Sequence, residues 1–208
     1  MDLGYSVEFD VRLTKDERIV VFHDKSLKRV CNKNKIIEFT KYSDLKKFNL
    51  FNTNEKIPLL KDIIKLKNRK TFMFIEIKEK KRSFLYLLRK IINHKNKIFL
   101  ISKNNIIKYV KFNKKGYIFG EEKLLNIIKL KKEIRKINPD FLIVHKSKII
   151  KIKKIFKNQY PLIIWTVKNQ KELKKYELFY DFVIFEDLLN QRFSKTSNLF
   201  INYKNIIN

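Results

Sequence analysis

The sequence predicts an α/β fold in which short parallel strands alternate with helices, a pattern shared by barrels and doubly wound sheets. Seven short apolar runs, rich in β-branched and aromatic residues, are each followed by a lysine-rich stretch. Several runs are apolar at nearly every position, which is typical of parallel strands buried on both faces. The runs are VEFDVRL (7–13), TFMFIEIK (71–78), IFLIS (98–102), GYIFG (116–120), FLIVH (141–145), LIIWTV (162–167) and FVIFED (182–187).

Helices are predicted between the runs, where apolar residues recur three and four positions apart. The clearest of these segments are 83–94, 123–137 and 147–157. A chain of this length forms one compact domain with a sizeable core. We therefore expect a single barrel-like domain over residues 1–193, followed by a polar tail over 194–208.

One connection is much longer than the others. About 55 residues separate the first run from the second, too many for a simple β/α loop. The segment contains RIVVFHD (18–24), which predicts a short strand, and KIIEFTKYSDLKKF (35–48). Barrels place their chemistry in the loops at one end of the strands. Functional residues are therefore expected in this insertion.

The number of β/α units bears on the fold as well. Seven units in 208 residues give nearly 30 residues per unit. An eight-unit barrel of about 250 residues has roughly 31 per unit. The sequence is thus expected to be an eight-unit barrel whose first unit is missing. Such a chain would have an unpaired edge on its first run and would be loosely folded or aggregation-prone.

Net charge is high, at +28, and it comes from lysine: 49 basic residues include only 8 arginines, against 21 acidic residues. Phosphate and base recognition usually favours arginine, so nucleic acid is not an expected partner. No apolar run approaches the roughly 20 residues of a transmembrane segment. Cys31 is the only cysteine, which excludes an internal disulfide and favours a reducing, cytoplasmic compartment. Composition leaves the oligomeric state open.

Acidic residues lie at spacings that bring them to one face. Glu8 and Asp10 are two positions apart on the first run, and Glu76 and Lys78 repeat this spacing on the second. Three carboxylates at one barrel mouth would repel one another unless a cation joined them. Oxygen-only ligands suit Mg²⁺ or Ca²⁺. The alternative is that these residues are solvated charges at strand ends.

Histidine supplies the candidate for proton transfer. His23 follows the short predicted strand inside the insertion, and imidazole can give or take a proton near neutral pH. His145 ends another predicted strand and is a secondary candidate. His94 falls at the end of a predicted helix, where the helix dipole accounts for it. A structural role remains the alternative for a lone histidine.

The segment VEFDVRLTKDERIVVFHDKSLKRV (7–30) closely resembles the metal-and-histidine segment of glycerophosphodiester phosphodiesterases. That family shows Glu-Leu-Asp-Val, Thr-Lys-Asp, Val-Phe-His-Asp, and then a Leu and an Arg. IPLLKDII (57–64) and IEIK (75–78) resemble its Ile-Pro-Thr-Leu-Glu-Glu and Glu-Ile-Lys segments. IIWTVKN (163–169) and YDFVIFED (180–187) resemble its last two strands more weakly.

The resemblance implies a (β/α)8, TIM-barrel-like phosphodiesterase that cleaves glycerophosphodiesters to sn-glycerol 3-phosphate and an alcohol, in glycerol and lipid metabolism. It implies Glu8, Asp10 and Glu76 as ligands of a divalent metal ion, Mg²⁺ or Ca²⁺. It implies His23 as one of two acid/base histidines. Lys78 would hold the phosphate and Trp165 would line the substrate pocket.

The sequence departs from the family pattern in three places. The opening His-Arg-Gly, with the other acid/base histidine, has no counterpart in the 208 residues, Lys168 stands where the family has asparagine, and Phe185-Glu186-Asp187 replaces a Thr-Asp pair. The chain is therefore expected to be weakly active or inactive. The alternative is a catalytically degenerate barrel that binds an anionic ligand or a partner.

Overall fold

A computed structural model describes residues 6–66, 72–92, 97–120, 126–180 and 182–186. Within these ranges the strands and helices alternate along the chain, which confirms the predicted α/β class. The strands are β1 Val7–Leu13, β2 Ile19–Val21, β3 Met73–Ile77, β4 Ile98–Ser102, β5 Lys115–Phe119, β6 Phe141–His145, β7 Leu162–Val167 and β8 Phe182–Phe185. The helices are α1 Lys28–Cys31, α2 Tyr42–Leu45, α3 Leu60–Lys65, α4 Ser83–Ile92, α5 Ile127–Ile137, α6 Ile149–Phe156 and α7 Gln170–Glu177.

Each of the seven predicted runs contains a strand, with ends shifted by a few residues at most. The described parts of the predicted helices contain α4, α5 and α6, and α6 begins at Ile149 because Lys146–Lys148 forms a separate 3₁₀ turn before it. Residues 93–96, which include His94, lie outside the described residues, as do 121–125 and the predicted tail. Each helix in the described ranges is too short or too polar to cross a bilayer.

The chain divides into two compact parts at Lys114. In the first part the strand order is β2-β1-β3-β4. β1, β3 and β4 run parallel, and the register sets Asp10 directly beside Glu76. The central strand β3 is almost wholly apolar and buried, as expected for a parallel strand covered on both faces.

The edge of β1 is not left open as the sequence predicted. After the turn at Thr14, where the side-chain hydroxyl accepts from Arg18 N, the chain returns as β2 and pairs antiparallel with β1. The pairing joins Val11, Arg12 and Leu13 to β2. The prediction of an unpaired edge was therefore wrong for the C-terminal half of β1, because the insertion supplies β2 as its partner.

The long insertion after β1 has its own apolar core. Its buried side chains come from β2 and from the turns and short helices that follow, and they pack on one another: Val20, Phe22, Leu27, Val30, Ile37, Leu45 and Ile57. Full burial of one such side chain contributes about 1.5–3 kcal/mol. The insertion is therefore a packed structure, and it can hold the residues after β2 in fixed positions.

The second part contains β5, β6, β7 and β8, all parallel and in chain order. Helices α5 and α7 begin with asparagine caps: the side chains of Asn126 and Asn169 accept from the backbone amides three residues later. The register of β6 and β7 sets His145 beside Trp165 at the carboxyl ends of these strands. In parallel α/β proteins this is the end where ligands bind.

Candidate active site

Three carboxylates of the first part meet at one point. Glu8, Asp10 and Glu76 each offer one oxygen, and the three oxygens lie within 4.8 Å of one another. Parallel register brings Asp10 and Glu76 together, and Glu8 shares their face because it is two residues from Asp10. Asp10 lies in the middle of β1. β1 continues to Leu13 beyond the last residues of β3, since it also pairs with β2.

Lys78 lies between two of these carboxylates. Its Nζ atom is 2.7 Å from Oδ1 of Asp10 and 2.6 Å from Oε1 of Glu76. The three side chains are largely buried, each about 15% exposed or less. Burial alone would lower the pKa of Lys78, but the charges of Asp10 and Glu76 outweigh it, so its pKa is raised. Lys78 is therefore a firmly held ammonium group.

Burial also raises the pKa of Glu76, and Lys78 only partly opposes this. A buried carboxylate beside another carboxylate is costly to ionise, and Lys78 lies within ion-pair distance of two of the three acids, Asp10 and Glu76. Oδ1 of Asp10 is buried, makes no well-directed hydrogen bond among the described residues, and lies 2.7 Å from Nζ of Lys78. A set of three carboxylates that offers only oxygen ligands fits Mg²⁺ or Ca²⁺.

The sheet also fixes the backbone of His23. Phe22 N donates to Asp10 O at 3.0 Å, which extends the pairing of β1 with the insertion past the end of β2. Arg12 then donates from Nε and Nη2 to His23 O at 2.9 and 2.7 Å. Burial lowers the pKa of Arg12, and Glu79 and the neighbouring aspartates oppose that effect. His23 is thus tied to the strand that carries Asp10.

The side chain of His23 is 65% exposed, and its ring contacts an acid. Nδ1 lies 2.7 Å from Oδ1 of Asp24. Arg29 donates to both oxygens of Asp24, from Nε to Oδ2 at 2.8 Å and from Nη2 to Oδ1 at 3.1 Å. These bonds from Arg29, with that of His23, hold the pKa of Asp24 at about 2, although partial burial opposes them.

In the second part, aromatic rings lie at the carboxyl ends of β6 and β7. Trp165 is partly buried, and its Nε1 donates to Phe119 O at 3.2 Å. His145 packs edge-on against it, with ring centroids 5.6 Å apart. Nδ1 of His145 lies 2.8 Å from Oγ of Ser147 and also accepts from Ser147 N.

The geometry thus brings together four of the residues that the sequence predicted, namely Glu8, Asp10, Glu76 and Lys78, and it ties His23 to the same strand through the backbone. Sequence reasoning assigned no role to Arg12, Asp24 or Arg29. Asp24 and Arg29 belong to the family motif, in which an aspartate follows the histidine directly and an arginine comes a few residues later. Arg12 carried a signal too, because it lies two positions after Asp10 and so on the same face.

Comparison with known proteins agrees with this reading. The model of the glycerophosphoryl diester phosphodiesterase family matches residues 4–148, more than half of the chain. An uncharacterized protein of Mycoplasma genitalium is 30% identical over 190 residues, which cover 81% of this chain and 78% of that protein.

Solved structures are similar over most of their length. A glycerophosphodiester phosphodiesterase from Thermotoga maritima is 26% identical, with a TM-score of 0.70, over 86% of this chain and 80% of that one. A phosphodiesterase from Oleispira antarctica, solved in complex with the product sn-glycerol-3-phosphate, is 19% identical, with a TM-score of 0.74, over 87% and 81%. These likenesses confirm the barrel-like α/β fold class. The chain belongs to the glycerophosphoryl diester phosphodiesterase family of hydrolases.

Proposed function

We propose that the protein is a metal-dependent phosphodiesterase that hydrolyses glycerophosphodiesters to sn-glycerol 3-phosphate and an alcohol. The observation that carries this proposal is the group of three carboxylate oxygens within 4.8 Å, with Lys78 between two of them. Membership of the family supports the reaction class. The complex of the Oleispira antarctica phosphodiesterase with sn-glycerol-3-phosphate supports the product.

Glu8, Asp10 and Glu76 would hold the cation, Mg²⁺ or Ca²⁺. When bound, the cation would neutralise the phosphate and stabilise charge on the transferring group. Lys78, already between Asp10 and Glu76, adds an ammonium group next to the phosphate.

His23 is proposed to transfer a proton, because an alkoxide is a poor leaving group and needs a proton as it departs. Trp165 is proposed to provide an apolar ring for the substrate. Both roles come from the resemblance, and the geometry is compatible with each: His23 is exposed at a fixed backbone position, and Trp165 is held by Phe119 O. Low turnover by these 208 residues and a cytoplasmic location remain predictions.

The test is hydrolysis by the purified chain at high enzyme concentration, with glycerophosphocholine and glycerophosphoethanolamine as substrates. We expect sn-glycerol 3-phosphate to form with Mg²⁺ or Ca²⁺ and to stop forming when a chelator removes the ion. Glu76→Gln keeps the size of the side chain and removes one ligand charge, so it should weaken ion binding by calorimetry and abolish turnover. Glu172→Gln is the matched control, since Glu172 pairs with Lys146 in the second part.

Two outcomes would count against the proposal. Turnover that survives the chelator would exclude metal dependence. Calorimetric binding of glycerophosphocholine with no product, in wild type at every ion concentration, would favour the alternative of a binding protein on a degenerate barrel.

A further inference from the structure

We infer that Asp24, held by Arg29, is a positioning residue that keeps a proton on Nδ1 of His23 and so leaves Nε2 as the nitrogen that exchanges protons with the substrate. The inference rests on the proposed function, because it gives His23 a role in proton transfer. It adds two residues to the site, and it states which nitrogen of the ring acts.

Hydrogen-bonding chemistry assigns the proton. A carboxylate only accepts hydrogen bonds, so a ring nitrogen 2.7 Å from Oδ1 of Asp24 must donate. Asp24 stays ionised because Arg29 and His23 hold its pKa at about 2, far below neutral pH. A neutral imidazole carries one proton, and with that proton on Nδ1 the lone pair lies on Nε2. The ring therefore presents an acceptor on the side that faces away from Asp24.

Arg29 makes Asp24 a fixed partner. Its guanidinium donates to both carboxylate oxygens, and a fork of this kind sets the plane of the carboxylate as well as its place. Asp24 is 22% exposed, whereas His23 and Arg29 are 65% and 60% exposed. The acid is thus enclosed between two more exposed partners, and it restrains the imidazole on one side.

Arg12 restrains His23 on its main-chain side. Two of its nitrogens donate to His23 O, so the backbone of this residue is fixed to β1. What remains free is rotation of the side chain, and the bond from Nδ1 to Asp24 limits that rotation. An exposed ion pair contributes little to stability. The contact between Nδ1 of His23 and Asp24 is therefore suited to orienting the imidazole rather than to stabilising the fold.

The test measures the protonated nitrogen of His23 directly. In protein labelled with ¹⁵N-histidine at about pH 8.5, where histidine is largely neutral, long-range ¹H–¹⁵N spectra report which nitrogen carries the proton. The His23→Gln variant assigns the signals. We expect Nδ1 to be protonated in the wild type, and the proton to move mainly to Nε2 in Asp24→Ala. Asp44→Ala, which removes a carboxylate paired with Lys47 in the same insertion, should change nothing.

Conservative variants keep the test sound if Asp24→Ala does not fold. Asp24→Asn retains an acceptor oxygen and should keep most of the proton on Nδ1. Arg29→Met should leave a mixture of the two tautomers, because the carboxylate is no longer fixed. A wild-type His23 protonated on Nε2, or spectra that do not respond to any of these variants, would overturn the inference.

Kinetics separates this inference from the proposed function. If both hold, Asp24→Ala lowers kcat by about 10–100-fold with little change in KM, and Asp24→Asn recovers part of the loss. A protein that forms no product even at high enzyme concentration with Mg²⁺ or Ca²⁺, but whose tautomer still responds to Asp24→Ala, would disprove the proposed function and the catalytic use of Nε2, while the contact itself stands. If the protein is active but Asp24→Ala changes neither the tautomer of His23 nor kcat, only the positioning role is disproved.

Discussion

The two parts of the chain place different chemistry at their strand ends. In the first part, β1 and β3 bring together three carboxylates and a lysine. In the second, β6 and β7 bring together a histidine and a tryptophan. Each part has one histidine after or at the end of a strand, and the two differ in what contacts Nδ1. His23 faces the carboxylate of Asp24, whereas His145 accepts from the backbone amide of Ser147.

These contacts favour a proton on a different ring nitrogen in each of the two histidines. A carboxylate only accepts, so Nδ1 of His23 carries the proton. A backbone amide only donates, so the 3.4 Å contact from Ser147 N favours Nδ1 of His145 as the acceptor, with the proton on Nε2. One residue determines the difference in each case: aspartate one position after His23, and serine two positions after His145. Residue type alone therefore does not tell which histidine can act as a base.

The largest effect is expected from replacing each of the two histidines with glutamine in separate variants. His23→Gln should lower turnover of glycerophosphocholine by about 10²–10⁴-fold, because it removes the proton-transfer group. His145→Gln should lower it by less than about 10-fold, because His145 packs beside Trp165 and is not the proposed proton-transfer group. Steady-state kinetics at saturating metal ion gives both numbers.

Matching thermal melts must show that both histidine variants fold. A larger loss in His145→Gln than in His23→Gln would reverse the comparison, and it would make His145 the principal proton-transfer residue.

The next effect concerns stability and compares two lysines. Lys78→Met leaves Asp10 and Glu76 buried without their ammonium group, and we expect it to lower the free energy of unfolding by about 2–4 kcal/mol. Lys146→Met breaks a more exposed pair with Glu172 and should cost about 0–1 kcal/mol. Urea denaturation without metal ion measures both.

Added Mg²⁺ or Ca²⁺ sharpens the lysine comparison. If the carboxylates form a cation site, the ion should recover part of the stability lost in Lys78→Met and should leave Lys146→Met unchanged. Equal destabilisation of the two variants, with no response to the ion, would show that Lys78 is an ordinary surface lysine.

A smaller effect is expected at Trp165. Trp165→Leu removes the ring that contacts His145 and the donor to Phe119 O. We expect KM for glycerophosphocholine to rise by about 3–10-fold, since an aromatic contact with a ligand is worth about 1 kcal/mol, while kcat changes less. An unchanged KM would remove Trp165 from the proposed substrate contacts.

The sequence predicted most of the strands well because they are short, nearly continuous apolar runs, and burial on both faces requires this pattern. It predicted the carboxylates because a spacing of two on a strand brings residues to one face. It did not predict β2 as the partner of β1, since pairing depends on how the insertion folds back. The motif shows Asp24 and Arg29, and spacing places Arg12 on the face of Asp10, but spacing does not predict the contacts that these three residues make with His23 and with one another.

The smallest effect is a pH dependence that comes from Asp24. The pKa of this carboxyl group is about 2 in the folded protein, below its ordinary value of 3.8. As the pH falls below 3.8 the unfolded chain takes up the proton first, so the stability that Asp24 contributes is complete above that pH and is lost towards pH 2. Because Asp24 is partly exposed, we expect a contribution of no more than about 1 kcal/mol.

Urea denaturation of wild type and Asp24→Asn between pH 6 and pH 3 measures this contribution, since the difference between the two proteins should shrink as the pH falls. Asp62→Asn is the control, because Asp62 is an exposed carboxylate whose partner, Lys65, lies 3.5 Å away on the same helix. A difference for Asp24→Asn that stays constant across this range would mean that Arg29 and His23 do not hold the carboxylate in solution. The proposed difference in tautomer between His23 and His145 would then be unsupported, because the proton on Nδ1 of His23 depends on the ionised carboxylate of Asp24.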